Sequence, residues 1–365
     1  MSCKRKLVYI IHGIAIGGAE TALVTALPDL DKYFDLRVYV LGGGQEHQLL
    51  QSLDAPLRDK MRFCNIPVYA LPFYLPVLYM RMRKFNPDIV ISSLWRSAIV
   101  GSFYRVFNRQ SNYFMLLHSD NFFHWADRIF SKLGLRLSDA VFVDSHATAS
   151  LAKRVLGDTA AINVLSYLTT ISPSDIKGRD FTGPKHFFFI GRLHAIKRVP
   201  LAVKAIAWLR KNGVDATLRI YGRDDGDQSA VEEAIDACGL RGYVSIEGEI
   251  GFTEKWKLYG CHHYYMQLSA QEGMAMSVAE AMQQGMVCFV TPVGGVAQYA
   301  VDGHSAVFAD TGDSQAWDRS LRNLLAVLRD RVKCEAISSN AYQTFKGAPV
   351  FSDSLIAAIN LYIKK

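Results

Sequence analysis

Short runs rich in Val, Ile, Tyr and Phe alternate with longer helical patterns along the whole sequence, which predicts an α/β protein whose parallel sheets carry helices on both faces. A length of 365 residues and a polar segment near the middle divide it into two such domains. Strands are predicted over 6–12, 35–41, 88–93, 112–118 and 139–144, then over 186–191, 216–221, 243–247, 264–268 and 287–291. Helical patterns fall at 19–27, 198–212, 228–238, 253–260, 276–284 and 314–329, with Gly239 and Gly285 as C-terminal caps. The stretch 171–184, ISPSDIKGRDFTGP, has Pro toward both ends and Gly inside, and reads as an interdomain linker. It separates residues 1–170 from 185–346. A last helix over 352–363, with Ser352 as N-cap, belongs to a C-terminal segment 347–365 that is expected to return to the first domain. Ligands of open parallel sheets bind beyond the C-terminal strand ends, so the cleft between two of them is the expected site.

Composition excludes several classes. Half the residues are apolar, 12% aromatic and 21% charged, with mean hydropathy +0.08, which excludes a disordered, collagen-like or coiled-coil chain. The uncharged stretch Phe63 to Met80 is long enough to raise a membrane span, but Pro67, Pro72 and Pro76 are expected to break such a helix. The opening MSCKRKLVYIIHG is basic and then apolar, with Gly and Glu20 where a cleavage site would stand, so no export signal is expected. Cys3, Cys64, Cys238, Cys261, Cys288 and Cys334 form no CxxC pair, and His262 and His263 have no zinc spacing. Reduced, mostly buried thiols in a cytoplasmic protein are expected, with no metal and no cofactor.

The net charge of +7 is concentrated. Residues 1–170 carry a balance of +6, and residues 71–136 alone hold 9 basic against 3 acidic residues. Phe73, Tyr74, Tyr79, Trp95, Tyr104, Phe122, Phe123 and Trp125 are interleaved with Arg81, Arg83, Lys84, Arg96, Arg105 and Arg109. Cationic side chains beside amphipathic aromatics suit an anionic membrane surface; the alternative is an ordinary solvated face. No nucleic-acid motif accompanies the charge.

Three segments carry the chemistry. After the first strand, His12-Gly13 leads to Gly17-Gly18-Ala19-Glu20 at a helix start, where backbone N–H groups can approach an anion; a tight turn is the alternative. The strand 186–191 ends in Gly191-Arg192-Leu193, with Lys197 five residues on, two cations placed to clamp a diphosphate or simply to face solvent. The densest segment is Gln271-Glu272-Gly273-Met274-Ala275-Met276-Ser277-Val278-Ala279-Glu280. Glu272 at the helix entrance and Glu280 two turns along could hold separate hydroxyl-bearing parts of one ligand, with the N–H groups of 273–275 facing its phosphates. Ser277-x-x-Glu280 equally fits a capping box.

In this order and spacing, these residues resemble a retaining glycosyltransferase of family 4, the group 1 transferases, with the GT-B fold of two Rossmann-like domains whose parallel sheets face a central cleft. The resemblance covers nearly the whole chain. It rests on Gly17-Gly18-Ala19-Glu20, Asn86-Pro87-Asp88-Ile89-Val90, Ser145, Gly191-Arg192-Leu193 with Lys197, Tyr221-Gly222, Glu272-x7-Glu280 with Ala281-Met282 and Gly285, then Thr291, Gly294-Gly295 and Asp302-Gly303. It implies that Arg192 and Lys197 neutralise the diphosphate of a nucleotide diphosphate sugar donor and that Glu272 holds sugar hydroxyls. It further implies that Gly273, Met274 and Ala275 offer backbone N–H groups, that Glu280 binds the ribose, and that Gly17 and Gly18 approach the donor. His118 matches the family histidine near the reacting carbon; as a residue it also reads as a polar loop position before Ser119 and Asp120.

The chain departs from the family pattern at Met266-Gln267-Leu268-Ser269, which lacks a proline, at Leu165-Ser166-Tyr167, at Gln298 and at Ser305-Ala306. The resemblance implies transfer to a hydroxyl with retention, the leaving phosphate accepting the proton. Asp225-Gly226-Asp227 reads as a turn rather than a metal motif, so no metal is expected. With a cationic first half, a lipid-linked or oligosaccharide acceptor in bacterial surface-polysaccharide assembly is expected, at the cytoplasmic face of the inner membrane. A sugar-nucleotide epimerase and a non-catalytic partner subunit of the same fold are the alternatives.

Overall fold

The apolar runs form strands within one residue of the positions their patterning predicts. The computed structural model describes residues 4–14, 17–44, 48–173, 178–251 and 254–363. Cys3, Ala15 and Ile16 of the first loop, and residues 174–177 of the segment 171–184, lie outside these.

The chain divides into two units, 1–170 with 349–365 and 171–348. The first unit runs β1 (Arg5–Ile11), α1 (Gly18–Tyr33), β2 (Phe34–Val40), α2 (Ala55–Asp59), β3 (Met61–Phe63), α3 (Leu71–Phe85), β4 (Ile89–Ser93), α4 (Trp95–Phe107), β5 (Asn112–Leu117), α5 (Trp125–Leu137), β6 (Ala140–Val143), α6 (His146–Leu156) and β7 (Ile162–Val164). Among the described residues its parallel sheet has the order β3-β2-β1-β4-β5-β6-β7. The second unit runs β8 (Lys185–Ile190), α7 (Val199–Lys211), β9 (Ala216–Tyr221), α8 (Gln228–Ala237), β10 (Val244–Gly248), α9 (Lys255–Cys261), β11 (Tyr264–Gln267), α10 (Met276–Gln283), β12 (Val287–Val290), α11 (Val296–Tyr299), β13 (Val307–Phe308), α12 (Ser314–Arg329) and α13 (Arg331–Phe345). Its parallel sheet has the order β10-β9-β8-β11-β12-β13. In each unit the order reverses beside the first strand, so the C-terminal ends of β1 and β4, and of β8 and β11, open onto the switch points where parallel sheets receive ligands.

Strands β5, β6, β11 and β12 are buried at every position, as sheets covered on both faces require. A last helix, α14 (Phe351–Tyr362), packs on α1 in the first unit. Its Phe351 N–H donates to Leu168 O at 2.8 Å, and Ser352 Oγ to Asp29 Oδ2 at 2.9 Å, so Ser352 anchors the helix within α14 instead of capping it.

Three expectations change. Prolines do not interrupt 71–85, which is one helix with Pro72 in its first turn and Pro76 inside. Pro76 lies on the exposed face of that helix. No helix of the described residues is long and apolar enough to cross a membrane. Likewise α1 continues past 27 through Pro28. Of the thiols described, Cys288 and Cys334 are buried and Cys261 is exposed, fewer buried than expected, because 64, 238 and 261 lie at a loop or at helix ends. Strands β3, β7 and β13, two or three residues long, are too short to show a period.

The segment 171–184 is bound into the second unit. Arg179 donates to Tyr259 O and Gln284 O, at 2.8 and 2.6 Å through Nη2, and also to His262 O. A cation thus satisfies the orphan carbonyls where α9 and α10 end. Burial lowers its pKa to about 10, and Phe181 is buried in the core beside it.

Candidate functional site

In the second unit, the turn from β11 to α10 brings the candidate residues together. Glu272 lies on this turn and Lys197 at the end of a short 3-10 helix after β8, Ala195–Lys197. Lys197 Nζ reaches both carboxylate oxygens, at 2.7 and 2.9 Å, and both side chains are largely shielded. Gln267, the last residue of β11, donates from Nε2 to Glu272 Oε1 at 2.6 Å. Arg192 stands apart from this group. Its side chain is 45% exposed and its guanidinium pairs with Asp225 Oδ2 at 2.7 Å, while Asp224 Oδ1 accepts the N–H groups of Gly226, Asp227 and Gln228. The Asp225-Gly226-Asp227 segment is therefore a carboxylate-tied turn.

Glu280 is 3% exposed on the inner face of α10. It receives Lys255 Nζ at 2.5 Å on Oε1 and Tyr259 OH at 3.0 Å on Oε2. The capping box does not form. Ser277 Oγ donates instead to Gln267 Oε1 at 2.8 Å, and α10 opens at Ala275 without a side-chain cap. Ala275 adopts the left-handed conformation, φ 56° and ψ 61°, which for a residue with a Cβ costs on the order of 1–3 kcal/mol. Tyr299 OH offsets this by donating to Met274 O at 2.9 Å and Ala275 O at 3.3 Å. The result is a helix start at Met276 with no side-chain cap, preceded by Gly273, Met274 and Ala275 and flanked by two carboxylates each tied to a lysine.

In the first unit, Gly17 caps α1 in extended backbone, φ −153°. A Cβ there would lie 2.4 Å from Glu20 Oε2, so the carboxylate of Glu20 already sits over the helix entrance. Glu20 is buried and faces His12 Nε2 at 3.6 Å. Burial and the nearby Arg96 lower the pKa of His12. His118 follows β5; its Nε2 is 2.7 Å from Ser93 Oγ, and its ring packs edge-on against Tyr167 at 5.4 Å. Burial, with His12 nearby, drives the His118 pKa down to about 3. Leu94, beside Ser93, has φ 74° and ψ 162°, a region that almost only glycine enters, and the strain lies at the strand end that holds His118. Asp144 at the end of β6 is pushed up to about 6 by burial, although Thr148 Oγ1 donates to it at 2.7 Å.

Gly17, Gly18, His118, Arg192, Lys197 and Glu272 to Ala275 lie at C-terminal strand ends or in the turns that lead to the next helix, and Glu280 lies in the second turn of α10. Within the second unit, Lys197 and Glu272 meet, and Glu280 sits on the same turn-helix element; Arg192 stays with Asp225. Sequence reasoning missed Gln267, Lys255, Tyr259, Tyr299 and Ser93, whose partners are 5 to 25 positions away and carry no spacing signal.

Comparison with known proteins gives a consistent outcome. Residues 173–344 match the family described as Glycosyl transferases group 1. A curated relative, the D-inositol 3-phosphate glycosyltransferase of Arthrobacter sp. (strain FB24), is 24% identical over 190 residues, half of this chain and 44% of the relative, so less than half of that protein's length is matched. Among solved structures, HepE of Anabaena in complex with UDP-glucose is similar at TM-score 0.80 and 18% identity over 98% of each chain. Sucrose-phosphate synthase from Thermosynechococcus elongatus gives 0.78 at 14% identity over 98% of each. The lipopolysaccharide outer core galactosyltransferase WaaB gives 0.73 at 18% identity over 98% of this chain and 99% of that one. The two parallel-sheet units are those of the GT-B fold.

The depressed pKa makes a direct prediction. Below the ordinary value of 6.5 the unfolded chain binds a proton that folded His118 refuses, so this group's contribution to stability is lost as pH falls from 6.5 toward 3. In imidazole NMR titration His118 should stay neutral from about pH 8 to about pH 5, where an ordinary histidine charges. A midpoint near 6.5 would contradict the geometry described for it.

Proposed function

From the match of residues 173–344 to the glycosyl transferases group 1 family and from the GT-B fold, we propose that this protein transfers a sugar from a nucleotide diphosphate sugar to an acceptor hydroxyl with retention of configuration. The observation that carries the reading is the uncapped start of α10, set between the Lys197–Glu272 and Lys255–Glu280 pairs. Such a start attracts anionic oxygen, and two carboxylates on one turn and helix can hold the sugar and the ribose of one donor. Glu272 then takes sugar hydroxyls, Glu280 the ribose, and Gly273, Met274 and Ala275 the oxygens between. Arg192 and Lys197 stabilise the leaving diphosphate, which itself accepts the acceptor's proton. Gly17, Gly18 and the neutral His118 of the first unit complete the proposed set. A UDP-sugar is the favoured donor, since HepE of similar fold is seen with UDP-glucose; GDP-mannose is the second choice.

The acceptor we assign is a lipid-linked or oligosaccharide glycan of bacterial surface polysaccharide, met at an anionic membrane surface on the cytoplasmic face of the inner membrane. The surface of 71–136 supports this. Along α3, Phe73 (82% exposed), Val77 and Met80 form an outward apolar stripe that ends in Arg81 and Lys84. On α5, Trp125 (74% exposed), Ile129 and Leu133 lie one helical turn apart beside Arg128, Lys132 and Arg136. Of the three carboxylates there, Asp127 is buried and accepts Ser131 Oγ, Asp88 accepts the Lys6 N–H, and Asp120 is half-buried after β5. Tyr79, Trp95 and Tyr104 pack against neighbouring rings instead, and Arg105 pairs with Asp139, so the patch is narrower than the sequence suggests.

A thermal-shift panel of UDP, GDP, ADP and CMP, each with Mg²⁺ or EDTA, tests the donor reading. One nucleotide at about 100 times its Kd should add roughly 2.7 kcal/mol of stability, without need of metal, and Glu280→Ala should abolish the shift. No shift with any of the four would favour a non-catalytic partner subunit. In turnover assays Arg192→Ala and Lys197→Ala should each lower kcat on the order of 100-fold; near-normal rates would remove both from the chemistry. Flotation should carry the protein with vesicles containing anionic phospholipid but not with neutral ones, and added salt should release it. Failure to float would leave 71–136 an ordinary solvated face.

A further inference from the structure

Gln267 is 2% exposed, and both ends of its amide are hydrogen-bonded. Its Oε1 accepts Tyr265 OH at 2.6 Å and Ser277 Oγ at 2.8 Å, while its Nε2 donates to Glu272 Oε1 at 2.6 Å. An ionised carboxylate only accepts, so the amide cannot turn over without setting oxygen against oxygen. Two hydroxyls on one side and a carboxylate on the other therefore fix its orientation. Lys197 holds the same carboxylate through a different kind of tie. Its ammonium is a point charge on a four-carbon stem, and an arriving diphosphate competes for it. Gln267 is neutral and buried, so a diphosphate has little to draw it away.

We propose that Gln267 is the positioning residue for Glu272, holding its carboxylate toward the sugar hydroxyls while Lys197 turns to the diphosphate. This rests on the donor reading given above. Because Gln267 acts through Glu272 and lies beneath it, its removal weakens recognition of the sugar and leaves recognition of the nucleotide intact.

Isothermal titration of UDP and of UDP-glucose into the full-length wild type, Gln267→Leu and Gln267→Glu separates these contributions, with GDP and GDP-mannose in their place if the panel selects guanine. Gln267→Leu should bind UDP within about 2-fold of wild type and UDP-glucose about 10-fold more weakly, the scale of one hydrogen bond to a charged group. Gln267→Glu sets a second carboxylate against Glu272, and the two can share a proton only as pH falls. Its affinity for UDP-glucose should therefore recover between about pH 8 and about pH 6, while that of Gln267→Leu stays flat. Equal losses for UDP and UDP-glucose, or a pH-independent Gln267→Glu, would reduce Gln267 to a structural brace and overturn the proposal. So would unaltered UDP-glucose binding in Gln267→Leu. A wild type that binds none of these nucleotides or nucleotide sugars overturns the donor reading itself, and that outcome is read without any variant.

Discussion

The site of the second unit depends on one close approach of backbone to backbone. Gly294, φ 57°, lies so near the turn between β11 and α10 that a Cβ would sit 2.1 Å from Glu272 O and 2.4 Å from Gly273 O. No side chain can occupy that space, and only glycine takes the dihedral without strain. Gly295 N–H then donates to Gly273 O at 2.6 Å, Thr291 Oγ1 to Ser269 O at 2.6 Å, and Ala270 N–H to Ile196 O at 2.7 Å. Loops after β8 and β12 thus clamp the turn from two sides. The clamp over-determines the left-handed Ala275, the N-cap from which α10 starts without a side-chain cap.

Charge inside this unit is handled by pairing at short range. Glu280 and Lys255 are both nearly inaccessible, and a buried ion pair of this kind adds little net stability because desolvation of two ions opposes their attraction. Its geometry is nevertheless demanding. Removing Lys255 would leave a buried carboxylate with Tyr259 as a neutral donor, the situation that typically costs about 3–5 kcal/mol. Arg179 applies the same logic to carbonyl oxygens, drawing the ends of α9 and α10 onto one guanidinium. The helices that carry Lys255 and Glu280 are consequently held at both ends, by each other's charges near the start of α9 and by Arg179 where both helices stop.

Periodicity and composition made the two sheets legible, because parallel strands buried on both faces read as near-continuous apolar runs, and β6 and β12 are such runs. The pair Glu272 and Glu280 was legible for a similar reason: both lie on one local element, and eight residues of spacing describe it. What the sequence could not show was the other half of each interaction. Lys255 is 25 positions from Glu280 and Lys197 is 75 from Glu272, distances bridged by the sheet and carrying no local signature. Ser277 shows the converse failure. Its spacing to Glu280 satisfies a capping box, yet Gln267 offers its hydroxyl a partner and Lys255 and Tyr259 take the carboxylate, so tertiary partners displace the local ones. Pro76 misleads in a related way, since α3 continues through it with the ring on the exposed face.

The two units solve opposite electrostatic problems at equivalent strand ends. In the second, carboxylates and ammonium groups are matched one to one, Lys197 with Glu272 and Lys255 with Glu280. In the first, burial keeps His12 and His118 neutral, and Glu20 lies over the start of α1, where a second anion would meet it. The net positive charge of that unit is therefore not concentrated at its strand ends; much of it is carried outward on α3 and α5, beside exposed Phe73 and Trp125. A neutral imidazole can accept or donate a hydrogen bond to a sugar hydroxyl, whereas an imidazolium would draw counter-ions. The first unit thus keeps its surface cations on α3 and α5 apart from the imidazoles at its strand ends.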